Sequence, residues 1–283
     1  MQELLESGVH FGHQVRRGNP RMKPYIYGAR DGVHIIDLAK SEELLKEAVE
    51  AAYNLGKDGK IMLLVATKKH AREIVEELAR EVDTPFLTSK WVGGLLTNFD
   101  EIKKNMKKLD GLREENEKGT LTRYTKKERL LISRKVDKFS SNLGGVSKLE
   151  KIPDSLFVVD AVTESTSIKE AQRMGVTLLG FSDTNANPAD FDYPIPANDD
   201  GIKSIKLICE TVIRAYGEGK KVGAKNEEIR VAEQLRVKGE EDKKAAQAKL
   251  DEEAKAAAVT KEAEVLEEQI EKEIVQESST KAA

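Results

Sequence analysis

The chain has 283 residues, a formal charge of -3, 34% charged side chains and a single cysteine, Cys209. That length can bury one substantial core and suggests about two domains. A lone cysteine excludes an intramolecular disulfide and a cysteine-built metal cage, which suits a reducing compartment. Met1 to Gly12 carry neither a basic start nor an apolar run, and no later segment approaches the ~20 apolar residues of a membrane span. A cytoplasmic location with no membrane contact is the expectation.

The N-terminal segment is rich in loop formers. Gly8-Val-His-Phe-Gly-His-Gln14 is followed by Arg16-Arg-Gly-Asn-Pro-Arg-Met-Lys-Pro24. Arg forks and Lys points at Arg16, Arg17, Arg21 and Lys23, on a loop stiffened by two prolines, suit contact with phosphates. A solvated leader would have the same composition. Short apolar, β-branched runs then recur at His34–Asp37, Ile61–Ala66, Thr84–Thr88, Ser155–Val159 and Val176–Phe181, and read as buried strands. Helical patterns lie between them, over Ser41–Leu55 and Lys69–Val82. The alternation predicts an α/β fold with a parallel sheet covered on both faces. In such sheets ligands bind beyond the carboxyl ends of the strands.

At one such end, Thr67-Lys68-Lys69 opens a helix, so two cations face a partly positive dipole. A bound phosphate would make Lys68 and Lys69 favourable there. Neither a Gly-x-x-x-x-Gly-Lys-Ser/Thr loop nor a Gly-x-Gly-x-x-Gly turn comes after any strand, which disfavours a nucleotide enzyme. Next comes Lys90-Trp-Val-Gly-Gly-Leu-Leu-Thr-Asn98. Trp91 has the composition of an anchor at the root of the basic segment beginning at residue 100, with base stacking as the second reading, and Lys90 is a further phosphate candidate.

That basic segment is an insertion, residues 100–151, with 15 Lys and Arg against 9 Asp and Glu. Asn98 to Glu101 and Thr125-Lys-Lys-Glu128 have the form of capping boxes. Ile102, Met106, Leu109 and Leu112 make one apolar seam, and Ile132, Val136, Phe139 and Leu143 a second. Two helices with one seam each pair as an inserted coiled-coil hairpin of roughly 27 Å at ~1.5 Å rise per residue. Lys103, Lys104, Lys107, Arg123, Lys126, Lys127 and Arg134 are its candidate RNA-binding cations. A basic arm on a chain that is not basic points to localised recognition of a polyanion.

The stretch from Ser182 to Asp200, Ser182-Asp-Thr-Asn-Ala-Asn-Pro188 continuing to Tyr193-Pro-Ile-Pro-Ala-Asn-Asp-Asp200, puts five aspartates beyond the strand ends. His13, Asp183 and Asp199, with His10 and Asp200 as further ligands, have the chemistry for a structural divalent cation. Asx turns and helix capping explain most of the segment without one. No cofactor beyond such a cation is expected. Cys209 lies among Ile202, Ile205, Val212 and Ile213, and reads as packing. Residues 1–99 and 152–224 read as one α/β globular domain. The tail, residues 225–283, has 11 basic and 16 acidic side chains, cannot build its own core, and reads as helical or disordered and dispensable for folding.

Gly8-Val-His-Phe-Gly-His-Gln14, Asn19-Pro-Arg-Met-Lys-Pro24, Tyr27-Gly-Ala-Arg30, Trp91-Val-Gly-Gly-Leu-Leu-Thr-Asn98, Leu143-Gly-Gly145, Asp183-Thr-Asn-x-x-Pro188 and Ile195-Pro-Ala-Asn-Asp-Asp200 together resemble the bacterial small-subunit ribosomal protein S-two family, in order over roughly residues 3–218. The resemblance implies a flavodoxin-like three-layer sandwich with an inserted helical hairpin. It also implies a non-enzymatic structural role, as a monomer within the ribosome, binding small-subunit ribosomal RNA and neighbouring proteins and supporting attachment of the messenger-binding protein S-one. Gly18 stands where the family commonly has an aromatic residue, Ala66 where it has glycine, and Lys90 where it has arginine. The alternative drawn from the residues alone is a metal-dependent enzyme using Asp183, Asp199 and Asp200. A third reading makes the hairpin a protein-docking coiled coil.

Overall fold

The computed structural model describes residues 1–117, 125–147 and 149–230, with 233 and 236. It divides into two compact units, Met1–Ala224 and Lys225–Ala283. In the second unit, residues 225–230 are helical, and most of the tail reading lies outside the described residues.

The first unit opens with helix α1 (Gln2–Glu6) and then strands β1 (Phe11–Gln14), β2 (Ile26–Arg30) and β3 (Val33–Ile36). These strands form a small antiparallel sheet in the order β1-β3-β2. His34–Asp37 is therefore not a strand of the parallel sheet, as its apolar run suggests. Only Ile36 of β3 is buried, because one face of this ribbon is left to solvent.

The chain then alternates as the sequence predicts: α2 (Leu38–Lys57), β4 (Met62–Val65), α3 (Lys69–Val82) and β5 (Phe86–Leu87). Helices α4 (Phe99–Glu117) and α5 (Lys126–Leu143) come next, then β6 (Ser155–Val158), α6 (Ser165–Met174), β7 (Thr177–Phe181) and β8 (Tyr193–Ile195). A last helix, α7, runs from residue 202 to the end of the unit. Asp37 caps α2 by accepting from the Ala39 amide, so that helix begins before Ser41.

The five parallel strands lie in the order β5-β4-β6-β7-β8. Counted along the chain among themselves this is 2-1-3-4-5, the flavodoxin-type order. Strand β8 hides in a segment dense in Asp and Pro, and its pairing to β7 through Leu179 and Tyr193 is not visible as hydrophobic periodicity. Strand residues alternate between two apolar clusters. Met62, Leu64, Phe157, Leu179 and Ile195 pack with α2, α3 and α7. Leu63, Val65, Leu156, Val158 and Leu178 pack with α6 and the root of α4 and α5. Helices thus cover both faces. Among the described residues, no helix is long and apolar enough to cross a membrane.

Helices α4 and α5 pack on each other. Met106, Val136 and Leu143 are buried in or beside their seam, while the side chains of Leu109 and Leu112 lie outside the described residues. The Thr125 hydroxyl accepts from the Glu128 amide and the Glu128 carboxylate from the Thr125 amide, closing the predicted capping box.

Candidate functional site

The order of the sheet sets a reversal point between β4 and β6, where the chain runs to opposite sides and a crevice opens beyond the carboxyl ends. Loops from β4, β6, β7 and β8 bring Lys68, Asp160, Asp183, Asp199 and Asp200 to that crevice. Lys68 Nζ lies 2.7 Å from Asp199, 2.6 Å from Asp200 and 3.5 Å from Asp160. The unfavourable cation at the start of α3 is thus answered by the chain's own carboxylates, with no need for a phosphate.

The N-terminal segment closes over the same crevice. His13 Nδ1 lies 3.1 Å from Asp183 and Nε2 lies 3.3 Å from Asp200. The His13 amide donates to Thr184 Oγ1 at 2.8 Å and the Asn19 amide to the Thr184 carbonyl at 2.7 Å. Gly12 sits where a Cβ would come within 2.5 Å of the Thr184 side chain, so glycine permits this approach. Gly18 has a similar role: a Cβ there would lie 2.6 Å from His34 Nε2.

Burial and the neighbouring Asp183 push Asp199 up to about 7, and the bond to Asp183 raises His13 above the ordinary histidine value despite its burial. Burial opposes ionisation of Asp200, but its bond to Lys68 holds it below the usual carboxylate range. Burial and the charge of Asp160 raise Glu164, which accepts from the Thr67 hydroxyl.

The His13, Asp199 and Asp200 ligand atoms lie within 4.8 Å of one another, and by type they suit a divalent cation. The Lys68 ammonium already lies against Asp199 and Asp200, so such an ion would compete with a tethered positive charge. The Cys209 thiol is fully buried among the residues packed under the sheet, and burial raises its pKa.

The predicted cations fall into two groups. Arg16, Arg17, Arg21, Lys23, Lys69 and Lys90 are exposed. They lie on the N-terminal segment, which packs on the loop after β7, or just beyond the ends of β4 and β5, all on the carboxyl edge of the sheet. Arg21 Nη1 donates to Asn187 Oδ1 at 3.3 Å. On the hairpin, Lys104, Lys107, Lys126, Lys127 and Arg134 are exposed and Lys103 is half-buried. Lys103 donates to the Glu150 carbonyl at 2.5 Å and stands 5.9 Å from the Phe99 ring. Arg123 lies outside the described residues. Lys68 differs from the others because its charge is spent within the crevice.

Trp91 is an anchor, as its composition suggests: it is buried with Leu95, Leu96, Phe99, Met106 and Leu143. Its indole N–H donates to Glu170 at 3.1 Å. Sequence reasoning misses Glu170, because a glutamate in the helix Ser165–Met174 has the pattern of a solvated face.

A cavity of about 730 Å³ lies at the opposite edge, lined by Lys60, Arg80, Asp83, Phe86, Asn142 and Lys220 among others. Arg80 is paired with Glu76 at 2.6 Å and Lys220 donates to the Asp83 carbonyl at 2.5 Å. Lys220 and Lys60 also stand 3.8 Å from the carboxylates of Asp83 and Asp58, so these charges are matched within the chain.

A family model described as Ribosomal protein S2 matches residues 4–219. Similar curated proteins include the Small ribosomal subunit protein uS2 of a Nitratiruptor species, 43% identical over 244 residues, which are 86% of this chain and 91% of that protein. The protein of the same name from Wolinella succinogenes is 43% identical over 227 residues, 80% of this chain and 84% of its own. That from Aliarcobacter butzleri is 44% identical over 220 residues, 78% and 83%.

Proposed function

Since the chain belongs to the ribosomal protein S2 family, we propose that it holds small-subunit ribosomal RNA through two sets of exposed cations, one on the carboxyl edge of the sheet and one on the helical hairpin. Its role as a structural constituent of the small ribosomal subunit follows from that membership and displaces the metal-dependent enzyme reading. The observation that carries the RNA reading is the contrast between Lys68 and its neighbours. The crevice where this fold would take a ligand is closed by an internal ion pair, while the other described candidates, except the half-buried Lys103, stay exposed.

The mechanism is phosphate neutralisation. Arg16, Arg17, Arg21, Lys23, Lys69 and Lys90 act from the body, and Lys103, Lys104, Lys107, Arg123, Lys126, Lys127 and Arg134 from the hairpin, whose helices wind as a short coiled coil. Residues 1–99 with 152–224, 100–151 and 225–283 act as body, arm and tail. Recognition rests on shape and backbone, since the deep groove of an RNA helix is closed to side chains. The protein works in the cytoplasm, within the ribosome, beside other small-subunit proteins and in support of the messenger-binding protein S-one. His13, Asp183 and Asp199 are the residues that would hold a structural divalent cation, in exchange for part of the Lys68 pairing.

The test is the salt dependence of binding to small subunits depleted of this protein. Each neutralised phosphate contributes about -0.7 to -0.9 to the slope of log affinity against log salt. Converting Lys104, Lys107, Lys126 and Lys127 to Glu should weaken binding and flatten that slope. An unchanged slope with altered attachment of neighbouring proteins would favour the protein-docking reading of the hairpin.

A further inference from the structure

A single buried carboxylate organises the segment from which the hairpin leaves the body. Glu170 on α6 is 9% exposed, and its Oε1 accepts from Trp91 Nε1 at 3.1 Å and from the Gly94 amide at 2.8 Å. Its Oε2 accepts from the Leu96 amide at 3.2 Å and from the Thr97 amide and hydroxyl, both at 3.4 Å. All these partners lie within residues 91–97, immediately before α4 begins at Phe99.

The partners are neutral, so Glu170 is held by converging dipoles and not by a cation. Burial alone would raise its pKa, but the hydrogen bonds from Gly94, Trp91, Leu96 and Thr97 bring it below the ordinary value. Gly94 has a φ of +88°, a conformation that favours glycine, and its carbonyl accepts from the Asn98 amide at 2.8 Å. The loop is thus bent around the carboxylate and passes directly into the helix. Apolar contact alone, from Leu95, Leu96 and Phe99, gives burial without direction, whereas hydrogen bonds from a curved loop fix an orientation.

We propose that Glu170 is a positioning residue for RNA binding: it fixes the direction in which the hairpin leaves the body, so that the two sets of cations meet the RNA in one mutual arrangement. The proposal rests on the reading that both sets contact RNA. A fixed arm makes the second set of contacts without further ordering cost, and a loose arm would incur that cost on every binding event.

Glu170→Gln tests it in the full chain. The amide keeps the shape of the carboxylate but presents an N–H₂ to donors on one side, so one half of the clamp is lost. Spin labels at Glu47→Cys on α2 and Asp137→Cys on α5, both exposed positions, report the distance between body and arm, with Cys209 protected by full burial. The distance distribution should broaden in the Gln variant. Affinity for small subunits depleted of this protein should fall about tenfold with the salt slope unchanged, because the same phosphates are still met at a greater ordering cost.

A lower melting temperature with a narrow distribution and full affinity would assign Glu170 to stability alone and overturn the proposal. A broadened distribution with full affinity would also overturn it, since arm direction would then be irrelevant to binding. If the unaltered protein binds with no salt slope, the RNA reading itself falls and takes this proposal with it, an outcome distinguishable because it precedes any substitution.

Discussion

Lys68 Nζ and the Asp199 carboxylate meet at 2.7 Å, with Asp199 only 2% exposed. The ammonium is shared with Asp160 and Asp200, so one cation compensates a group of acids. Removing one partner of a buried pair costs more than the pair is worth, because the other charge is stranded.

Lys68→Met should therefore destabilise the fold by about 3 kcal/mol, the low end for breaking a buried pair. Asp199→Asn alone should cost less, since Asp160 and Asp200 still face the ammonium. The double variant should fall short of the sum of the two, and a double-mutant cycle by urea denaturation measures that shortfall.

The same cluster makes stability depend on pH. Asp199 has a pKa of about 7 in the fold, against roughly 3.9 when unfolded, so the folded chain binds more protons across that window and loses stability as pH rises through it. His13, also raised, acts in the same direction: its contribution is complete below the ordinary histidine value and lost as pH passes its folded value. In the presence of a chelator, the melting temperature should decline from about pH 5 to about pH 8. Asp199→Asn should flatten most of that decline. A wild-type curve that is flat or rising there would contradict the assignment.

Two glycines of the inserted region should respond in opposite ways. At Gly145 an added Cβ would overlap the Phe86 carbonyl oxygen and crowd its ring, so Gly145→Ala should destabilise the hairpin base, by about 1–3 kcal/mol for overpacking. Gly111 lies inside α4 with nothing within 4 Å of an added Cβ, so Gly111→Ala should stabilise by about 0.5–1 kcal/mol. Thermal melts of the two variants check the signs.

Truncation after Ala224 should leave the folding of the first unit intact, because that unit contains both apolar clusters. The measurement is the unfolding midpoint of the shortened chain against the full one. A large drop would show that the tail supports the core.

What the sequence revealed depended on how local the signal was. Thr125 and Glu128 are three residues apart, and their capping box was legible from four letters. The strand at Met62–Val65 is buried at every position and shows as an unbroken apolar run. Strand β8 is three residues with Pro194 at its centre, and neither length nor composition separates it from a loop. The antiparallel ribbon of β1, β2 and β3 has half-exposed residues without clean alternation.

The crevice and the clamp share a different obstacle. Lys68 is recognisable as a cation in an unfavourable place, but its partners lie 92 to 132 positions further along, a separation only the sheet order closes. Glu170 binds residues 73 to 79 positions earlier. Its pattern on α6 looks solvated because the loop that covers it comes from elsewhere. Composition places Arg16, Arg17 and Lys104 on the surface, where they lie, but it carries no sign of a remote partner that claims a cation such as Lys68.

The ion pair at the strand ends also changes what occupancy means. A diffusible ligand in that crevice would come and go with its concentration, and the loops around it would open and close in step. Lys68 is joined to the backbone at the start of α3, so its supply is set by the chain and does not vary with solute. The loops carrying Asp160, Asp199 and Asp200 thus keep a cationic partner that needs no supply from solution, which suits a component of a standing assembly built on a fold that elsewhere serves exchange.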